Sequence, residues 1–193
     1  MLNPAVLISL LICITIHEFF HAFAADRLGD PTARSMGRLS LNPLRHLDPL
    51  GTIMMLFVGI GWGKPVPIDP YNLGNPRRDE TLIALAGPVS NLVLAVISAI
   101  FIQLTNIHPS FLVTFIIINV SLAIFNLLPI PPLDGSKVFL NLLSVDSALK
   151  WEEAFNRYGY LLLAALLFLP IGSSNLISLI ITPIINLILS VLL

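Results

Sequence analysis

Five apolar runs separated by charged loops restrict the fold of this chain more than any other feature. They extend from about Pro4 to Ala25, Leu82 to Leu104, Phe111 to Leu128, Tyr158 to Leu169 and Leu176 to Leu193. A bilayer has a hydrocarbon core of ~30 Å, which a helix of about 20 mostly apolar residues crosses. Composition points the same way: 56% of the residues are hydrophobic and 11% charged, against about 25% charged in an average soluble domain. The pattern predicts an all-α polytopic membrane protein, a bundle of about five transmembrane helices forming one membrane-embedded domain over residues 1–193. The fourth run is short and the fifth carries Pro183; a membrane helix tolerates such a break where its neighbours re-satisfy the backbone. A further apolar run, Thr52 to Trp62, is too short to span and contains glycine. A small β or re-entrant element is therefore expected around Gly51 to Pro70.

The basic residues orient the bundle. The loop from Asp26 to Glu80 holds Arg27, Arg34, Arg38, Arg45, Lys64, Arg77 and Arg78, and the loop from Pro129 to Arg157 holds Lys137, Lys150 and Arg157. These are all ten Lys and Arg residues of the chain. The positive-inside rule makes both loops cytoplasmic, with the N-terminus outside and the β element on the cytoplasmic side. The expected location is a cell membrane, multi-pass, with the lipid bilayer as the principal partner. A net charge of -1 offers no basic field for nucleic acid. Cys13 is the single cysteine, which excludes an internal disulfide and a CxxC metal site. Met1 to Ala25 lacks a basic n-region, so it is expected to remain as an anchor.

Within the first run, His17, Glu18 and His21 form the pattern H-E-x-x-H. Residues four apart share one face of a helix, so both imidazoles can hold a single Zn²⁺. Glu18 stands beside them as a base for activated water. With the chain's residue frequencies the pattern arises by chance on the order of 0.2% of the time. Three polar residues on a helix can also be incidental. In a membrane span, however, ionisable groups cost a few kcal/mol or more and mark function.

Catalytic zinc takes a third protein ligand and keeps an open position. Asp134 is the candidate, since the apolar sequence from Phe111 to Leu133 leads into it and ends on the same side of the membrane as His17 to His21. The competing reading is that Asp134 caps the next helix. Asn126 lies eight residues earlier and could hydrogen-bond the substrate backbone or a developing oxyanion, or serve packing.

Other motifs read more plainly. His46 and Asp48 sit among turn signals and are expected to pin the loop, with a second metal or proton-relay pair as the alternative. Gly61 to Pro67, with Pro65 and Pro67, cannot be a central strand but can be an edge that pairs with an extended peptide, with a purely structural loop as the alternative. Gly87, Ser90 and Asn91 suit close helix packing, Asn91 through a hydrogen bond to a neighbour. Ser147 to Arg157, with Trp151 and Tyr158 at the end, reads as an interfacial helix.

The motifs together resemble the site-2 protease family of intramembrane zinc metalloproteases. They are His17 to His21, Asn42–Pro43 with His46, Asp48, Pro49 and Gly51, then Gly61 to Pro67, Ala86 to Asn91, and Asn126 to Gly135. The chain looks like a minimal bacterial or archaeal member without PDZ or CBS domains. The resemblance implies that His17, His21 and Asp134 ligate one zinc, that Glu18 is the catalytic acid/base, and that Asn126 lines the substrate side. It also implies hydrolysis of a peptide bond in or near the transmembrane segment of a single-span protein, as in regulated intramembrane proteolysis, with Gly61 to Pro67 presenting the substrate. From other classes, a membrane metal binder or transporter, or a catalytically silent scaffold, competes. A transporter would be expected to show repeat-related broken helices and several intramembrane carboxylates; here only Glu18 and Asp134 qualify.

Overall fold

A computed structural model of the chain describes residues 3–58, 63–105, 107, 109–172 and 174–193. The first helix, α1 (Pro4–Arg27), starts where the Asn3 side chain accepts from the Ala5 amide at 2.9 Å and proline occupies the first turn. Both features satisfy or remove donors that a helix start leaves open. It ends at Leu28 and Gly29, whose φ of 109° is a left-handed conformation that glycine adopts without strain. A one-turn helix, α2 (Thr32–Ser35), and a 3₁₀ turn at Pro43–Arg45 follow, and then α3 (Pro49–Val58).

Helix α3 corrects the expected β element for residues 51–58. Asp48 accepts from the Gly51 amide at 2.8 Å, its carbonyl accepts from the Thr52 hydroxyl, and Pro49 follows it. That cap starts a helix, and the local capping chemistry overrides the length argument that suggested a strand. Residues 59–62, the rest of the expected apolar piece and the start of the Gly61 to Pro67 edge, lie outside the described residues. Beyond them one antiparallel bridge joins Leu47 to Gly63, and no strand is assigned from Lys64 to Asp69. The two-stranded sheet instead lies at the other connection, where β1 (Pro170–Ile171) pairs antiparallel with β2 (Ser174–Asn175).

Helix α4 (Pro76–Thr105) is 30 residues long, about 45 Å at 1.5 Å per residue. Helices α1 and α4 are long and apolar enough to cross a membrane, and α5 (Ser110–Asn126) and α8 (Leu176–Leu192) are shorter apolar helices. The short α6 (Asp134–Leu142) leads into α7 (Val145–Phe168), which begins well before the expected fourth run. Its N-terminal part, as far as Arg157, carries Asp146, Lys150, Glu152, Glu153 and Arg157 and the rest is apolar, so one helix joins the expected interfacial segment to the expected span.

The packing centre is α1 against α4 and α5, with α4 also against α6. Ala95 and Ala99 of α4 face Ile116 and Val120 of α5 in one buried cluster, and residues of α8 cover it from outside. Small side chains let these helices approach closely, which matters in lipid, where burial of apolar surface drives no association. At the other end of α4, the Arg77 guanidinium donates to the carbonyls of Leu140, Asn141 and Leu143. It thereby closes the C-terminus of α6 and holds that short helix on α4.

Candidate metal centre

His17 and His21 lie one turn apart on the buried face of α1, 4% and 6% exposed. Their rings stand nearly perpendicular, at 84°, and their Nε2 atoms are 3.0 Å apart. Asp134 Oδ2 completes a triangle, 3.1 Å from His17 Nε2 and 3.2 Å from His21 Nε2. Asp134 belongs to the first turn of α6, where Leu133 is the cap residue and no side chain makes a cap hydrogen bond. Its carboxylate therefore is not spent as a cap; it faces the histidines. Gly135 makes that position reachable, because a Cβ there would run into the backbone of Leu127 and Leu128.

The outer nitrogens decide what the inner ones can do. His21 Nδ1 is 2.7 Å from the Ile83 carbonyl, which accepts only, so Nδ1 carries the proton and Nε2 a lone pair. His17 Nδ1 donates to Asn91 Oδ1 at 2.8 Å, so its Nε2 has a lone pair as well. Two lone pairs and a carboxylate oxygen thus converge on one point with no proton assigned between them. A cation at that point would be held by all three atoms at once. Tetrahedral zinc with ligands at about 2.0–2.1 Å has ligand–ligand edges of about 3.3 Å, close to the three distances found here. The donors fit zinc in type, number and spacing.

Glu18, half-buried on the next position of α1, makes no hydrogen bond or ion pair among the described residues. Gly63 lies over it, close enough that a Cβ there would stand 3.4 Å from Glu18 Oε1. The 63–65 segment is fixed by Arg38, 4% exposed, which donates to the Pro65 carbonyl at 3.0 Å and to the Lys64 carbonyl. The Lys64 amide in turn donates to the His46 carbonyl at 2.7 Å.

A profile of peptidase family M50 matches residues 5–108 and 103–169. Two curated relatives, both named putative zinc metalloproteases, are YwhC of Bacillus subtilis and Rip2 of Mycolicibacterium smegmatis. YwhC is 38% identical over 184 residues, 89% of this chain and 84% of the relative. Rip2 is 33% identical over 174 residues, 83% of this chain and 65% of the relative. The stage IV sporulation protein FB of Bacillus subtilis is 28% identical over 147 residues, 71% of this chain and 50% of that protein. No solved structure matches.

The chain belongs to peptidase family M50. It is a zinc metalloprotease of that membrane family. Among the described residues, His17, His21 and Asp134 form the cluster of side chains able to hold a metal ion. Asn126 does not join it: its amide donates to the Leu122 carbonyl of its own helix at 3.0 Å, and one N–H remains free of that bond. His46 is fully buried, with Nε2 2.6 Å from the Ser40 carbonyl, and Asp48 caps α3, so both serve the loop.

Two neighbours of this cluster were read from the sequence only as packing. Gly87 faces both imidazoles: a Cβ there would lie 2.7 Å from His17 Nε2 and closer still to His21 Nε2. Asn91 does hold a neighbour, as expected, but the neighbour is His17 itself. The i, i+4 spacing of Gly87 and Asn91 put both on one helical face. Nothing in the residues said that the facing element was the H-E-x-x-H face of α1.

Proposed function

We propose that this chain is an intramembrane endopeptidase in which His17, His21 and Asp134 ligate zinc and Glu18 is the catalytic acid/base. The observation that carries this is the convergence of the Nε2 atoms of His17 and His21 and one carboxylate oxygen of Asp134, all within 4.8 Å of one another, beside Glu18, which has no hydrogen-bond or ion-pair partner among the described residues. Zinc, when bound, supplies a nucleophile at neutral pH and polarises the carbonyl under attack. Glu18 takes the proton released as the nucleophile forms and passes it to the leaving amine. Ile83 and Asn91 keep the imidazoles turned with Nε2 inward, as partners behind metal ligands do. The remaining N–H of Asn126 supplies a donor for the substrate backbone or the oxyanion. Gly63 to Pro67, held by Arg38 beside Glu18, offers an extended edge to the substrate. A peptide must be extended to be cut, since a helix hides its carbonyls in its own hydrogen bonds.

The substrate class that fits is a single-span membrane protein, cut in or near its transmembrane segment and released as in regulated intramembrane proteolysis. For the chain itself we favour five spans, α1, α4, α5, the apolar half of α7 and α8, in a cell membrane. The N-terminus lies outside, and the His17 to His21 end of α1 faces the cytoplasm with the basic loops.

Purified Glu18→Gln protein tests the assignment in proteoliposomes containing a single-span substrate. Cleavage should fall by about 10²–10⁴-fold, the usual contribution of a positioned acid/base, with zinc content unchanged. Cleavage at the wild-type rate removes Glu18 from the mechanism.

A further inference from the structure

Asn119 lies in the middle of α5, fully buried, and belongs to no sequence motif considered above. Its amide donates to the Phe115 carbonyl, one turn back on the same helix, at 2.9 Å. Its Oδ1 accepts from Asn91 Nδ2 at 3.0 Å. Asn91, also fully buried, directs the same Nδ2 toward the Cys13 carbonyl at 3.4 Å and its Oδ1 toward His17 Nδ1 at 2.8 Å. The chain of bonds runs from α5 through α4 to α1.

The direction of this chain is fixed at both backbone carbonyls. A flipped Asn119 would set Oδ1 against the Phe115 carbonyl, acceptor against acceptor. A flipped Asn91 would do the same against Cys13 and against Asn119 Oδ1. With both amides held this way, the group presented to His17 Nδ1 is an acceptor, and the imidazole must put its proton there. Nε2 is then left with the lone pair that faces His21 and Asp134. An unmatched polar group in this interior costs about 1–3 kcal/mol, so the arrangement has one low-energy polarity.

We propose that Asn119 is a positioning residue that sets the tautomer and orientation of His17 through Asn91, from a helix that contributes nothing to the metal-facing set. This rests on the zinc-ligand reading given above. Cys13 supplies a second, longer anchor for Asn91, so Asn119 acts as the stronger of two constraints and its loss has a smaller effect than the loss of Asn91. Partners behind metal ligands contribute about 10–100-fold in affinity. We expect Asn91→Leu to fall within that range and Asn119→Leu to weaken zinc about 3–10-fold.

The experiment is a zinc competition titration in detergent against a chromophoric chelator, on wild type, His17→Ala, Asn91→Leu, Asn119→Leu and the Asn91→Leu/Asn119→Leu double variant. Solid-state ¹⁵N spectra of the histidines in apo protein accompany it. Tight binding by wild type that is lost in His17→Ala establishes the ligand reading; equal binding by the two defeats that reading, and with it the proposal. If His17 matters, the proposal expects the double variant to match Asn91→Leu alone, because the two residues act in series. It also expects Asn119→Leu to move or broaden the Nδ1 and Nε2 resonances of His17. Wild-type affinity and spectra in Asn119→Leu, or effects that add in the double variant, overturn it. Should Asn119→Leu fail to fold, Asn119→Ser keeps a hydroxyl for the Phe115 carbonyl but is too short to reach Asn91, and the same outcomes decide.

Discussion

The helices α1, α4 and α5 and the helices α7 and α8 are built from similar apolar stretches yet pack to different ends. The first three bury polar groups among themselves: Ser9, His17, His21, Ser90, Asn91 and Asn119 are at most 6% exposed. In contrast, α8 buries only Ile177 among its described residues, and Leu187 and Val191 are 68% and 75% exposed. Lipid is as apolar as leucine, so apolar side chains gain little by turning inward, whereas a buried hydrogen bond or a close backbone contact must be specific. Hydropathy therefore marks both groups as membrane-seeking and does not distinguish the unit that carries chemistry. Interior polar and small residues do.

Two glycines put that contrast to its strongest test. In α4, a Cβ at Gly87 meets the ring nitrogens of both histidines, the nearest His17 atom at 2.7 Å. In α7, a Cβ at Gly159 meets Pro131 side-chain carbons at 3.1 Å, a contact relieved by a small shift of the neighbour. Gly87→Ala should weaken zinc binding by about 10–100-fold, since overpacking costs about 1–3 kcal/mol and the groups displaced here are the metal-facing rings. Gly159→Ala should change zinc affinity less than about threefold, within the ±0.5 kcal/mol of an uninvolved site. The chelator titration measures both. Equal losses in the two variants would mean that α7 is as tightly coupled to the metal centre as α4.

Each of the five apolar runs falls largely within a helix because hydropathy is a property of each segment by itself, and His17, Glu18, His21 and Asp134 stood out because ionisable residues beside or within apolar sequence are costly. What remained hidden was pairing. Asn119 is one asparagine in a helix, with no partner at i±4 to mark it, and its role depends on α4 and α1 arriving beside it. The segment after Asp48 reads as a strand or re-entrant piece when its length and glycine are weighed above the Asp48–Pro49 cap, and the cap makes its start a helix. Asp134 could be read as cap or ligand; in the structure Leu133 holds the cap position and the Asp134 carboxylate faces the two histidines.

A second polar hub sits in the connection that follows α1, at the rim of the same unit. Asp30, with no exposed surface, accepts from Thr32, from Asn72 Nδ2 at 3.0 Å and from the Asp69 amide at 2.8 Å. Burial alone would raise its pKa, but these hydrogen bonds outweigh it and hold the carboxyl below the usual carboxylate range. A depressed pKa in the folded state stabilises the protein above the unfolded value of about 3.9, and that stability is lost as pH falls through the folded value. Wild type should therefore lose thermal stability below about pH 4 relative to Asp30→Asn. At neutral pH the variant should be about 1–3 kcal/mol less stable, the cost of leaving buried donors with a weaker acceptor. Melting curves from about pH 3 to 7, which run from the titration range of the carboxyl up to neutrality, check this, and parallel curves would dissociate Asp30 from the acid response. Zinc affinity should not change, which separates a hub that holds the fold from the one that holds His17.

The smallest effect belongs to the outer face of α8. Leu187→Ala removes three carbons from a side chain that is 68% exposed, on a helix whose covered face already meets α5. In water, loss of a buried leucine costs 2–5 kcal/mol by removing apolar burial and leaving a cavity (~2–5); here the side chain trades contact with lipid for contact with lipid and leaves no cavity. The expected change in detergent-denaturation midpoint is within about 0.5 kcal/mol, with cleavage and zinc affinity as in wild type. A loss near 2 kcal/mol, of the order seen for buried leucines, would show that this face is covered in the membrane by another protein surface. Helix α8 would then belong with the packed unit, and the contrast between the two groups of helices would hold only for the isolated chain.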